Sequence, residues 1–360
     1  MSGWRKPVGG ESYDAREQYP TPAPKMKLLD DSWYQWMAEC RLRDCSPQSM
    51  VEAMVQSGVP EQIAQNQVLA IETNPVYLAA RRMQQLHRKL ESIVGNQQKV
   101  WESSSTYMTV DKRSKVSRDE FIERYMIGSR PVVLTDLAND WLAMERWTPT
   151  YLADQYGSAE IEIQDGRNSD PAYEVNKLQH RARTTLGAFV QRVLDGGLTN
   201  DYYMTANNDT LRKPALRGLL SDIGSLPSYV DAVQFTPHFW FGPAGTLTPV
   251  HHDTVMLMHT QIFGRKRWRL ISPLQTPCIY NHDGVFSPID LDKPDLAKYP
   301  KMAELSVLDV TVEPGETIFL PLAWWHQVTS LEVSISVSYT NFDCGFKTHQ
   351  EYVNPEIRNW

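Results

Sequence analysis

The stretch TPVHHDTVMLMHTQIFGRKRWRL, Thr248 to Leu270, alternates as a β-strand does, yet it places imidazole, carboxylate and ammonium on the side that should be apolar. On a period of two, His251, Asp253, Val255, Leu257, His259 and Gln261 share one face. His252, Thr254, Met256, Met258 and Thr260 share the other. Gly264 marks a turn, after which Lys266, Trp268 and Leu270 return to the inner face while Arg265, Arg267 and Arg269 point outward. A buried ammonium must have an anion beside it or lose its proton. The chain therefore has to enclose a polar interior, and a bound carboxylate would satisfy Lys266.

The surroundings of this stretch predict the fold class. After Gln234 the segments are short, alternating and separated by turns such as FGPAG, SPLQTP and VEPGE, the pattern of an antiparallel barrel or sandwich. Ahead of them lie signals of a mixed region. SRDE at Ser117 to Glu120 is a capping box, RPVVLTDL is a β-branched strand, and Thr148, Pro149 and Gly157 bound a helix. A strand AEIEIQ and a helix from Thr185 follow. From Asp31 to about Val94 the pattern is helical, with Ser46 as cap, Pro47 at the first position and Gly58 as stop. A segment PEQIAQNQVLAIET comes next, then a helix opened by Asn74 and Pro75 and ended by Gly95. Three short helices make a small bundle, and the serines of WESSSTY punctuate it as a linker.

The layout expected is a flexible tail over 1–30, a helical bundle over 31–100, a linker over 101–115, a mainly β domain over 116–345 and a C-terminal tail over 346–360. Composition narrows the function. With 41% hydrophobic and 22% charged residues the chain is expected to be a soluble globular protein. No apolar run approaches the roughly 18 residues of a membrane span, and the first segment lacks the apolar core of a secretory signal. Four scattered cysteines, Cys40, Cys45, Cys278 and Cys344, suit a reducing cytoplasm rather than a disulfide framework. A net charge of −7 argues against nucleic acid and anionic lipid as partners.

His251 and Asp253, two apart on one face, can offer a nitrogen and an oxygen to one metal ion. The segment LPLAWWHQV supplies His326 as a third ligand. Two histidines and a carboxylate on one face leave three positions of a six-coordinate ion open, as in non-haem Fe(II) oxygenases. Catalytic zinc keeps fewer ligands and would leave the buried lysine without a task. Taken singly, His259 reads as a satisfied core histidine and His252 as a residue facing substrate or solvent. His238 and His282 read as structural, and Trp240, Trp268, Trp324 and Trp325 as core.

The segments WFGPAGTLTPVHHD, QIFGRKRWRLISP, EPGETIFLPLAWWHQV and SISVSYTNF, in that order, resemble the Jumonji-C (cupin-like) 2-oxoglutarate oxygenases, and especially their protein-hydroxylase branch. The resemblance runs from about Val116 to about Phe342 and does not cover the helical front. It implies a double-stranded β-helix, or jelly roll, with His251, Asp253 and His326 holding Fe(II). It implies that 2-oxoglutarate chelates the iron while its far carboxylate meets Lys266 and Thr248, with Tyr203, or its neighbour Tyr202, beside them. Many relatives carry an asparagine where Leu257 stands, so that hydrogen bond is expected from Asn207, Asn208 or Ser338. The activity implied is hydroxylation of a side chain of a protein or peptide, consuming O2 and releasing succinate and CO2. An N-methyl demethylase and a non-catalytic cupin that kept its ligands for stability are the alternatives. The helical front is left with three roles: structural support, a homodimer contact, or docking of a substrate, for which its methionine-rich faces are adaptable.

Overall fold

Caps and prolines set the first helices. The Asp30 carboxylate accepts from the Trp33 backbone at the start of α1 (Asp31–Leu42), and Ser46 accepts from Ser49 at the start of α2 (Pro47–Gln56). Gly58, at φ +91°, closes α2 in the left-handed conformation that glycine adopts without strain. Then come α3 (Glu61–Ile71) and α4 (Pro75–Glu102), the latter opened by the Asn74 side chain, which accepts from Val76 and Tyr77. The computed structural model describes residues 29–206, 210–281 and 284–343. Expectations placed on residues 1–28, on Asn207, Asn208, His282 and Cys344, and on 346–360 lie outside the described residues.

The chain divides into two compact units, Met1–Leu90 and Glu91–Trp360. In the first, Met37, Met50, Met54, Ala64, Val68 and Ile71 form a small apolar core. Most of the apolar stripe seen in the sequence is thus consumed within the unit, while Val55 and Leu69 stay exposed. Helix α4 does not stop at Gly95. A lone glycine costs a helix only about 1 kcal/mol relative to alanine. Beyond it, Trp101 packs against apolar neighbours, which opposes that cost.

The second unit opens with β1 (Asp111–Arg113) and the one-turn helix α5 (Arg118–Glu120), which Ser117 caps and which runs on as a π-helix over Phe121–Ile127. There follow β2 (Val132–Leu134), α6 (Ala143–Arg146), α7 (Pro149–Tyr156), β3 (Glu160–Asp165), β4 (Arg181–Thr185), α8 (Leu186–Asp195) and β5 (Tyr202–Tyr203). Thr148 and Thr185 cap α7 and α8. The remaining strands are β6 (His238–Gly242), β7 (Leu247–His252), β8 (Leu257–Phe263), β9 (Lys266–Ile271), β10 (Val307–Val312), β11 (Thr317–Leu320), β12 (Trp325–Ser330) and β13 (Ser334–Tyr339).

These strands form a six-stranded sheet, β1-β2-β11-β8-β13-β6, a four-stranded sheet, β10-β9-β12-β7, and a three-stranded sheet, β4-β3-β5. All neighbours are antiparallel except β1 and β2. On β13 the alternation is sharp. Ile335, Val337 and Tyr339 join Phe239, Phe319 and the helix residues Leu152 and Phe189 in the largest apolar cluster. Ser334, Ser336 and Ser338 take the opposite parity. A second cluster draws Val133, Ile318 and Leu320 from the large sheet and Trp268, Leu270 and Val328 from the four-stranded sheet, so the two sheets face each other. The other side of the four-stranded sheet is covered by Ile279, Ile289 and Met302. Residues Thr248 to Leu270 are not one continuous hairpin: the chain leaves β7 at Asp253 and enters β8, in the other sheet, at Leu257. No helix among the described residues is long and apolar enough to cross a membrane.

Candidate metal centre

Antiparallel pairing of β12 with β7 sets His326 directly opposite His251, and their ring centroids lie 4.0 Å apart. Strand β7 is a sheet edge, which is where a strand tolerates a proline such as Pro249. Asp253, just past the strand, turns back so that its Oδ2 lies 3.7 Å from His326 Nε2. One donor atom from each of the three residues lies within 4.8 Å of the others. Each imidazole is oriented by its own backbone. His251 Nδ1–H donates to the Pro249 carbonyl at 2.8 Å, and His326 Nδ1–H to the Trp324 carbonyl at 2.9 Å. A carbonyl only accepts, so Nδ1 carries the proton and Nε2 keeps its lone pair. Phe286 stacks on His251 at 5.3 Å and Trp268 on His326 at 5.7 Å.

The charge state suits a metal. Burial, reinforced by neighbouring His251, holds His326 well below the ordinary histidine range, so it is neutral. Enclosure pushes the Asp253 carboxyl upward against the pull of His251 and His252, which marks a carboxylate short of a counter-charge. Two imidazoles, that of His326 held neutral, and one carboxylate fit a divalent ion that takes mixed nitrogen and oxygen ligands, Fe(II) among them.

The triad opens onto a cavity of about 180 Å³ between the two sheets. Lys266 forms part of its wall and is 2% exposed. Its Nζ donates to Tyr203 Oη at 3.0 Å and Ser336 Oγ at 2.9 Å, and lies 3.5 Å from His259 Nε2. None of these partners is an anion, and burial alone pushes its pKa down to about 7. Burial likewise raises the Tyr203 phenol, which stays neutral and keeps its proton to donate.

Of the residues singled out in the sequence, His251, Asp253, His326, Lys266, Thr248, Tyr203 and Ser338 all line this one cavity, as does Leu257. Tyr202 does not: its hydroxyl donates to the Arg192 carbonyl at 2.9 Å and its ring meets Phe189. Ser338 accepts from Trp240 Nε1 at 2.8 Å, which leaves its own proton free. The parity read through Val255 and Leu257 to His259 survives the break between β7 and β8. Gln261 departs from it, since its amide donates instead to the Phe263 carbonyl at 2.8 Å.

Three readings are corrected. His259 is no isolated core histidine but part of the cavity wall against Lys266. His252 faces neither substrate nor solvent. It is buried against Trp325, 4.6 Å between centroids, because the outer face of the four-stranded sheet is itself covered. Trp240 and Trp268 border the cavity rather than filling core alone. Ser336 escaped notice, although the alternation in SISVSY places it with Ser338. Glu174, from the segment between β3 and β4, also reaches the cavity, and no local pattern announces it.

Residues 117–346 match the model of a family described as a cupin-like domain. The chain is 27% identical over 232 residues to lysine-specific demethylase 8 of Xenopus tropicalis, covering 62% of this chain and 50% of that one. It is 30% identical over 256 residues to lysine-specific demethylase JMJ30 of Arabidopsis thaliana, covering 66% and 55%. It is 26% identical over 251 residues to the bifunctional peptidase and (3S)-lysyl hydroxylase JMJD7 of Homo sapiens, covering 61% and 79%. The chain thus spans about half the length of the first two relatives.

Proposed function

The chain belongs to the cupin-like domain family, and on that premise we propose that it is an oxygenase dependent on Fe(II) and 2-oxoglutarate that hydroxylates a side chain of a protein or peptide. Jumonji-C relatives use Fe(II), 2-oxoglutarate and O2. The two facing sheets are read as a double-stranded β-helix, with the triad at its open side. One observation carries the reading: a buried lysine with no anion among its hydrogen-bond partners in the described residues, in the same cavity as two histidines and a carboxylate.

His251, Asp253 and His326 would hold the iron. When bound with 2-oxoglutarate and O2, the iron supplies the oxidising power that places one oxygen atom in a C–H bond as the cosubstrate becomes succinate and CO2. The residues of the chain do the rest. Lys266 supplies the positive charge for the far carboxylate, and the hydroxyls of Tyr203 and Thr248 orient it. Ser338, whose proton is not spent on Trp240, is placed to donate where an asparagine at Leu257 would have done. Trp268 and Phe286 flank the two histidines and keep water from the metal face.

The test is turnover of 2-oxoglutarate to succinate by the purified protein with Fe(II) and O2, followed by mass spectrometry of candidate peptides. A product heavier by one oxygen atom with no formaldehyde supports hydroxylation. Formaldehyde in step with succinate would assign N-methyl demethylation instead, and absence of succinate would leave a non-catalytic cupin.

A further inference from the structure

Behind the cosubstrate clamp lies a cation to which the reaction gives no task. Strand β3 ends at Asp165, and Gly166 turns at φ +70°, a conformation a side chain would strain, so that Arg167 enters the interior. The Arg167 side chain is fully buried. Its Nη2 donates to Glu174 Oε1 at 2.9 Å and to the Leu247 carbonyl at 2.8 Å. The guanidinium lies 4.2 Å from the Tyr173 ring centroid and 5.3 Å from that of Tyr203. Tyr173 Oη donates to the same Leu247 carbonyl at 2.8 Å, while Leu247 N–H donates to Asn200 Oδ1 at 2.8 Å. Among the described residues, Arg167 Nε and Nη1 have no hydrogen-bond partner.

A buried guanidinium with two unmet donors costs the fold stability, and an apolar residue of the same size would fill the space better. What the arginine provides is position. Leu247, whose peptide is held at both ends, immediately precedes Thr248. Tyr203 is confined between the guanidinium and Gly242, where a Cβ would come within 2.5 Å of the Tyr203 ring. Arg167 therefore fixes two of the three groups that meet the far carboxylate. We propose that Arg167, paired with Glu174, is a positioning residue that sets Tyr203 and Thr248 for 2-oxoglutarate; this rests on the cosubstrate reading above.

The experiment is calorimetric titration of 2-oxoglutarate into the full chain loaded with Mn(II) in place of iron, together with the Mn(II) titration itself. The variant Arg167→Met with Glu174→Gln removes both charges and leaves neither buried alone. Its 2-oxoglutarate dissociation constant should rise about tenfold or more with Mn(II) affinity unchanged, the size expected when a supporting contact is lost. Parallel loss of both affinities, or loss of neither, overturns the proposal, since the first is what a merely structural residue gives. Should that variant fail to fold, Arg167→Lys decides. A lysine keeps the charge but lacks the planar guanidinium that lies against the Tyr173 and Tyr203 rings, so 2-oxoglutarate binding should weaken severalfold, and wild-type affinity overturns the proposal. Lys266→Met separates the two claims: unchanged 2-oxoglutarate binding there removes the cosubstrate reading itself. Weakened binding there, beside wild-type affinity in the Arg167 variants, removes only the positioning role.

Discussion

Lys266 sets how the site answers to pH. Its ammonium is the form that meets a carboxylate, and burial brings its pKa down to about 7 in the free protein. Below that pH the charge is already present. Above it the free protein is neutral, so binding 2-oxoglutarate must recruit a proton, and affinity should fall about tenfold per pH unit until the pKa of the complex is reached. Calorimetry across pH 6 to 9, in buffers of differing ionisation heat, would record that proton uptake; flat affinity would contradict it. Stability runs the other way. Between about 7 and 10.5 the unfolded chain holds a proton that the folded one has released, so resistance to unfolding rises with pH across that window. Lys266→Met should flatten this rise, and weaken 2-oxoglutarate binding by about two to three orders of magnitude through the loss of a buried charge pair. His251, Asp253 and Lys266 were legible in the sequence because a period of two needs only local residues. The face of Ser336 was legible by the same alternation, but its partner was not, because its contact with Lys266 joins residues 70 apart on strands of different sheets. Arg167 and Glu174 come from a distant loop and obey no period at all.

Strands β7 and β12 carry the triad as a cross-strand pair plus one residue beyond the edge. The three side chains face a cavity rather than a packed core, so truncating one removes a metal donor without opening a large new void. His251→Ala, Asp253→Ala and His326→Ala should each abolish succinate formation and lower metal affinity by orders of magnitude, with the melting temperature of the metal-free protein shifted by only a few degrees. Full activity in any one of them would remove that residue from the ligand set. Helix starts were readable for the same local reason: Ser46, Ser117, Thr148 and Thr185 each accept from a backbone N–H three residues on. The ends were harder. Passage of α4 through Gly95, and the exit from β7 at Asp253 into a strand of the other sheet, are decided by what the later residues bury, which no window of a dozen residues contains.

The two units differ in how their apolar surface is used. In the first, α2 and α3 bury Met50, Met54 and Val68 on their own chain, which suits a structural role. Helix α4 is different, because Val76, Met83, Leu86 and Leu90 stay at least half exposed, at the three- and four-residue spacing of one helix face, with Arg82 and Lys89 also exposed. An apolar stripe left in water at that spacing marks a surface for a partner. Docking of a macromolecular substrate is the role to test on it, since among the described residues no metal or cosubstrate residue falls in this unit and a separate contact surface raises effective concentration at a site. The position of the test matters. Within the second unit, Gln98 is buried and α4 carries on to Trp101, which packs on an apolar cluster, and Glu102, which Ser306 meets, so deleting residues 1–100 would remove Gln98 and cut the helix that holds the other two in that unit. Surface substitution avoids that. Met83→Glu with Leu86→Glu adds charge to exposed positions of a helix that tolerates glutamate well. It should leave uncoupled turnover of 2-oxoglutarate and the melting temperature unchanged while raising KM for the macromolecular substrate at least severalfold at constant kcat. An unchanged KM would return the helices to a structural role, and a fall in kcat with constant KM would mean that they act on the chemistry rather than on the encounter.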